Sequence, residues 1–326
     1  MLMNSLCALA LGFVLDMLLG DPAGGLYPLT LIKKLVKALE NTLRKAYADS
    51  PEAQNMAGVM LIVMTLVICL GISAGILLVC YKLSVVAGII AEGILCWISI
   101  SSKYMRISVR GVFRAARSGN IVSARRYLKK ISCRDVDSLD MDEAMRCAVE
   151  SASENTIDWI IAPIFWIGIF GGMGGIFCRC VNILDNTVGY KTEEYRHFGK
   201  YPAALDDVVM FFPARIAAAL MRLDVSFLSL DGKNARRIYR RDRKKSLSPN
   251  SGCTQSVCAG ALGIQLGSDE YYGGQLVRRP VIGIPQRPIE PSDVYWANQL
   301  SCGTAAYGVV LCFIIKTAIS VAVAFI

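Results

Sequence analysis

Residues 57–81 read AGVMLIVMTLVICLGISAGILLVCY, an uninterrupted stretch without a charged side chain. At a helical rise of 1.5 Å per residue this run extends about 37 Å, more than the roughly 30 Å of a bilayer's hydrocarbon core. The reading that follows is a transmembrane helix, and it decides the fold class. Directly after it, beyond a tight turn at Lys82, comes LSVVAGIIAEGILCWISI (83–100), and the sequence closes on GTAAYGVVLCFIIKTAISVAVAFI (303–326). Each of these qualifies as a span despite one ionisable residue, Glu92 and Lys316 respectively. Further apolar segments lie at 2–19, 160–181 and 208–221. The first has no basic residues before it and no small-residue cleavage site, so it reads as part of the mature protein rather than a signal peptide.

Composition agrees. Of 326 residues 54% are hydrophobic and only 19% charged, and the mean hydropathy is +0.45. That is too apolar for an ordinary soluble enzyme and too charged for a bare membrane bundle. The fold class expected is therefore mainly α: a polytopic integral membrane protein with about four to six transmembrane or re-entrant helices, forming one membrane-embedded domain over 1–326. Its large helical loops span 20–56, 101–158 and 222–302.

The net charge of +9 is unevenly spread. Eleven Lys or Arg residues fall between Lys103 and Arg146, and RRIYRRDRKK (236–245) holds seven in ten positions. By the positive-inside rule both loops face the cytoplasm, in a multi-pass protein of the cell membrane, and such runs suit anionic lipid or phosphate. Nucleic acid is not expected, because no recognition fold accompanies the charge. The twelve cysteines contain no C-x-x-C pair and read as reduced, small apolar residues.

Two sequence features leave alternatives open. One crossing at 160–181 would place the arginine run outside, so either the GGMGG at 171–175 breaks that segment into a hairpin or 208–221 completes a second crossing; the glycines also suit close helix packing. In the first loop, Leu31, Ile32, Leu35, Val36 and Leu39 recur at helical spacing between lysines, the pattern of an amphipathic helix along the membrane.

The polar clusters carry the candidate chemistry. In ESASENTIDWIIAP (150–163) a continuous helix would stack Glu150, Glu154 and Asp158 at i, i+4 and i+8, with Asn155 beside them. Like charges at that spacing disfavour a helix by a few tenths of a kcal/mol, which suggests a bound cation or a basic partner; a solvated face is the bland alternative. NILDNTVGYKTEEYRHFGKYPAALDDV (182–208) offers Asp185, Tyr190, Lys191 and the adjacent Asp206 and Asp207. His197 is the only histidine, which argues against imidazole-based catalysis. The run ending in SLSPNSG (246–252) places guanidinium groups next to a hydroxyl- and amide-rich turn suited to phosphate. No P-loop motif occurs.

Taken in order, DMLLGDP (16–22), AVESASENTIDWIIAPIF (148–165), NILDNTVGYKTEEYRHFG (182–199), LDDVVMFFPARIAA (205–218), RRDRKKSLSPNSG (240–252) and AGALGIQLG (259–267) resemble the CobD/CbiB family of cobalamin-biosynthesis membrane proteins. The resemblance implies an adenosylcobinamide-phosphate synthase: a ligase joining the carboxylate of adenosylcobyric acid, through an amide, to aminopropanol or its O-phosphate, with ATP as the energy source. It also admits association with other late cobalamin-pathway enzymes. Under this resemblance Glu150, Glu154, Asn155, Asp158, Asp185, Lys191, Asp206 and Asp207 are the candidate catalytic residues. Tyr190, Arg215, Arg240, Arg241, Arg243, Asn250 and Ser251 are the candidate substrate- and phosphate-binding residues. Glu150, Glu154 and Asp158 would form a ridge holding Mg²⁺ against the ATP phosphates, Lys191 and Arg215 would neutralise the transferring phosphoryl group, and Asp206 or Asp207 would take the amine's proton. Trp159, Phe165, Trp166 and Tyr190 would line a corrinoid cleft. The chain departs from the family pattern at Tyr27, Trp159 and Leu247, two of these replacing histidines. A non-catalytic corrinoid-binding membrane protein or transporter is the alternative reading.

Overall fold

The computed structural model describes residues 2–21, 27–47, 49–190, 192–267, 270–272 and 275–324. It is mainly α-helical. In chain order the helices are α1 (Leu2–Leu19), α2 (Pro28–Ala46), α3 (Pro51–Leu83), α4 (Val85–Ser99), α5 (Ser102–Arg117), α6 (Ile121–Leu128) and α7 (Met141–Thr156). A single π-helical turn, Ile157–Ile161, then leads into α8 (Ala162–Phe170), α9 (Gly172–Val188), α10 (Lys200–Val209), α11 (Phe211–Phe227), α12 (Gly232–Asp242), α13 (Ser251–Leu262) and α14 (Pro291–Ala324). Strands are minor: β1 (Gln265–Leu266) pairs antiparallel with β4 (Ile282–Gly283), and β2 (Glu270–Tyr272) with β3 (Gln275–Val277).

Among the described residues three helical stretches are long and apolar enough to cross a membrane: Pro51–Leu83, Val85–Arg117 and Pro291–Ile319. They overlap the expected spans 57–81, 83–100 and 303–326. The turn at the end of α3 is made by Ser84, whose hydroxyl accepts a hydrogen bond from the Ala87 amide and so starts α4 immediately. The segment 160–181 is not one span. Gly171 adopts φ +65°, a left-handed conformation that ends α8, and α9 folds back against it. A Cβ at Gly174 would collide with the Trp166 carbonyl oxygen, so the glycines serve both as break and as close packing. The nine residues of α8 rise only about 13.5 Å, half a bilayer core.

The chain divides into two compact units. The first comprises Met1–Ser101, Ala162–Val209 and Val310–Ile326. Its core joins Ile32, Val36 and Leu43 of α2, Leu61 and Cys69 of α3, and Cys180, Leu184 and Val188 of α9. The amphipathic face of α2 is thus buried on α3 and α9, while Leu31 is left exposed. Glu92 and Lys316, in the second and third expected spans, are satisfied locally. Tyr81 donates to the Glu92 carboxylate at 2.6 Å, the Gly172 amide donates to its other oxygen, and the Lys316 ammonium donates to Ser5 Oγ at 2.7 Å. Burying such groups without partners would cost several kcal/mol.

The second unit comprises Ser102–Ile161 and Met210–Val309. At its centre lies α13, SGCTQSVCAGAL, all twelve residues of which are buried. Small side chains make that possible: a Cβ at Gly260 would meet the Ala235 backbone at 2.7 Å, and the bare glycine lets α12 approach closely enough for Asn234 Nδ2 to donate to the Gly260 carbonyl. Around α13 pack α7, α11 and α12.

Candidate functional site

Helix α7 begins in a capping box, Asp140 accepting from the Glu143 amide while the Glu143 side chain accepts from the Asp140 amide. Its opposite end carries the expected carboxylates, and here the structure corrects the sequence reading. Glu150 is 1% exposed and fully engaged. One of its oxygens accepts from the Gly267 amide at 2.5 Å, and the other faces Arg134 Nη2 at 2.6 Å and Arg279 Nη1 at 3.1 Å. Burial by itself pushes this carboxyl up, but the two guanidinium groups and the Gly267 amide outweigh burial and hold it below the ordinary carboxylate range. The acid crowded onto α7 has a basic partner, and that partner is protein.

The metal ridge fails a second geometric requirement. The α-helix ends at Thr156, and Asp158 lies half-buried in the π-helical turn that follows. Among the described residues no group of three or more His, Cys, Asp or Glu side chains is placed to hold a metal ion. The three-carboxylate Mg²⁺ site expected from Glu150, Glu154 and Asp158 therefore does not fit. Glu154 remains half-buried, accepting from Gln255 Nε2 of α13 at 3.3 Å, and Asn155 donates to the Ile131 carbonyl at 2.8 Å. Trp159 lies 6.2 Å from the Tyr104 ring.

The arginines divide as well. Arg215 stacks on Phe211 at 3.6 Å and donates to Asn250 Oδ1 at 2.7 Å, so two candidates 35 positions apart meet directly. Ser251 Oγ lies 2.7 Å from Ser246 Oγ and closes the turn. Arg241 is committed to Asp242 and to the Gly283 carbonyl, and Arg243 donates to the Tyr239 hydroxyl. Asp242 is wholly buried, and the bonds from Arg241, Lys245 and the Gly283 amide overcome its burial and hold its carboxyl at about 2. Arg240 is exposed, and Arg241 keeps part of its side chain in solvent despite its bond to Asp242.

A pattern emerges in the segment after α13. Glu150 holds Gly267 and Arg279, Asp242 holds Gly283, and Asp293 holds Arg287 and the Glu290 amide. Three buried carboxylates thus fix the loop that carries β1 and β4. Charge-assisted bonds of this kind contribute about 1.5–3 kcal/mol each.

Asp224 of α11 is a different case. It is 3% exposed and packs where α14 has Gly303; a side chain at 303 would collide with its carboxylate. Burial raises this carboxyl to about 6 from 3.8. A raised folded-state value means that its stabilising contribution is complete below about pH 4 and is lost as the pH rises through about 6. At neutral pH the penalty is about 3 kcal/mol. Asp224→Asn should accordingly raise the thermal midpoint above about pH 7 and abolish the loss of stability between about pH 4 and 6. Unfolding followed across pH checks this, and an unchanged pH profile refutes it.

In the first unit, Asp185 caps its own turn: its carbonyl accepts from the Gly189 amide, and a Cβ at Gly189 would strike its carboxylate. Tyr190 donates to the Asn186 carbonyl. Asp206 is buried and Asp207 half-buried, as adjacent positions about 100° apart on α10 require. Phe165 and Trp166, both half-buried, join Phe177 and the exposed Phe170 in an aromatic cluster, with the Trp166 indole donating to the Val209 carbonyl. Asp21, of the DMLLGDP motif, has its carboxyl pushed up by burial against the lowering effects of Ser101, Arg179 and Tyr27. Lys191 lies outside the described residues.

With this geometry established, comparison with known proteins is decisive. The family profile described as CobD/Cbib protein matches residues 9–301. The chain belongs to the CobD/CbiB family. Among curated relatives, the cobalamin biosynthesis protein CobD of Clostridium perfringens is 37% identical over 311 residues, covering 95% of this chain and 98% of that one. Those of Geobacter metallireducens and Pelobacter propionicus are 34% and 36% identical, covering 94% and 86% of this chain and 96% and 86% of theirs. No solved structure matches the chain. In this CobD/CbiB chain the residues that sequence reasoning misses are Arg134 and Arg279, the partners of Glu150. Arg279 is 129 positions from Glu150 and has no periodic signal around it; the only hint is the unexplained acid itself.

Proposed function

We propose that the protein is an adenosylcobinamide-phosphate synthase of cobalamin biosynthesis, forming an amide between adenosylcobyric acid and aminopropanol or its O-phosphate with ATP. The observation that carries this reading is the near end-to-end correspondence with relatives named for cobalamin biosynthesis, at 95% coverage of one chain and 98% of the other. The three long apolar helices support a location in the cell membrane, and the basic loops support a cytoplasmic face for the polar site.

A carboxylate is a poor acyl donor, so phosphoryl transfer from ATP would give an acyl phosphate and ADP. The amine nitrogen then attacks the acyl carbon, inorganic phosphate leaves with the electrons of the C–O bond, and the nitrogen gives up a proton. Positioning and charge neutralisation are most of what such a site must supply. With Glu150 engaged by Arg134 and Arg279, Glu154 is the α7 carboxylate left to accept that proton, supported by its half-buried place and its single hydrogen bond from Gln255. Asp207 is the alternative acceptor, being less buried than Asp206. Arg215, held by Asn250, would meet a phosphoryl oxygen.

The test is direct. Purified protein is supplied with adenosylcobyric acid, ATP and Mg²⁺ and, in parallel, aminopropanol phosphate, aminopropanol or ethanolamine phosphate, and corrinoid products are read by mass spectrometry. An ATP-dependent amide product is expected. Tight corrinoid binding without product from any amine would favour the binding or transport alternative.

A further inference from the structure

Helix α12 presents two faces of opposite character. Asn234, Ala235, Ile238, Tyr239 and Asp242 are buried against the unit's interior, whereas Lys233, Arg236, Arg237, Arg240 and Arg241 are exposed at i, i+3, i+4, i+7 and i+8. These five cations line an open concavity of about 520 Å³. A merely solvated helix face ordinarily alternates signs, since like charges at i, i+4 disfavour the helix by a few tenths of a kcal/mol per pair. On α2 the buried acid Glu40 takes both Lys37 and Arg44. On α12 the one acid, Asp242, faces inward and neutralises Arg241 and Lys245, and Arg237 is held by Asn234. Among the described residues Lys233, Arg236 and Arg240 have no acidic partner.

We infer that the concavity along α12 is a binding site for a polyphosphate chain, the chemical class to which a nucleoside triphosphate belongs. Guanidinium forks meet phosphate oxygens in pairs, and arginines predominate over lysine here. From Lys233 to Arg241 the helix rises about 12 Å, so a single phosphate would engage only part of the row, and a ligand with charge distributed along its length would engage all of it. The site includes the expected Arg240 and Arg241 but otherwise departs from the sequence expectation, because it runs back along α12 instead of forward into the turn at 246–252. Its identification with ATP rests on the proposed synthase activity; its affinity for polyphosphate does not.

The experiment uses the full chain in nanodiscs of neutral lipid, titrated with sodium tripolyphosphate by calorimetry. Saturable binding is expected, weakened about tenfold or more by the Arg236→Gln/Arg240→Gln double variant, since removing even one charge-assisted bond is a large effect on that scale. Arg110→Gln/Arg114→Gln, which removes the same charge from α5, should leave the affinity unchanged. Equal weakening by both pairs would mean general attraction of anions and would overturn the site. Loss of tripolyphosphate affinity when anionic lipid is introduced into the nanodisc would assign the groove to lipid headgroups, and would likewise overturn it. If tripolyphosphate binds as expected and no amide forms with ATP, the synthase reading fails while the groove stands. If amide forms at wild-type rate in the Arg236→Gln/Arg240→Gln variant, the identification of the groove with ATP fails while the synthase stands.

Discussion

Glu150→Gln is expected to destabilise the protein by about 3–5 kcal/mol, because it strips the shared charge from two buried guanidinium groups and leaves both unneutralised. The side chains of Arg134 and Arg279 are 6% and 9% exposed, so water replaces little of what they lose. The amide keeps the shape of the carboxylate, which confines the effect to charge. The sign separates two accounts of this residue. Were Glu150 one of several carboxylates repelling each other along α7, removing it would stabilise the helix by a few tenths of a kcal/mol. Thermal unfolding of wild type and variant in the same detergent decides the matter: a fall of several degrees is expected, and an unchanged or raised midpoint would show that the ion-paired cluster does not hold the loop through Gly267.

Glu154→Gln should do the reverse. One turn along the same helix, its carboxylate is half-buried and accepts one neutral hydrogen bond, from Gln255, which a glutamine can also accept. The thermal midpoint should therefore hold within a degree or two, as for other substitutions that break no buried network. Amide formation, in contrast, should fall by about 10²–10⁴, the usual contribution of a positioned proton acceptor. The ATP-dependent product assay at matched protein concentration measures this, with Asp207→Asn alongside. Wild-type turnover in Glu154→Gln, together with loss in Asp207→Asn, would move the base to α10.

The pairing of these two residues shows where sequence reasoning works and where it stops. Both are marked by the same pattern, an acid column leading into an apolar run, and the pattern is correct that the charge needs a partner. It does not distinguish an arginine from a metal ion, because Arg134 is 16 positions before Glu150 and Arg279 is 129 after it, and neither lies on the same helix face. Nor does the i, i+4, i+8 spacing reveal that the α-helix gives way to a π-helical turn at Ile157–Ile161. The glycine-rich break at 171–175 is more legible: its composition suits either a turn or a packing surface, and Gly171 and Gly174 make it both.

Properties that accumulate along the chain are legible from the amino acids alone. Hydrophobic runs of sufficient length define the three candidate spans, the Asp140–Glu143 capping box defines the start of α7, and six motifs in order define the family. Each depends on neighbours within a turn or two, or on summed transfer free energy, so local order suffices. Which charges are absorbed by folding and which remain for a ligand is settled only when the helices pack. Glu150 is neutralised by partners brought from other segments and Asp242 is turned inward onto the Gly283 amide, while Arg236 and Arg240 are left facing outward. The reason is physical: the energy of a charge is set by burial and by what lies within about 4 Å of it, and for these residues both are fixed by packing between helices.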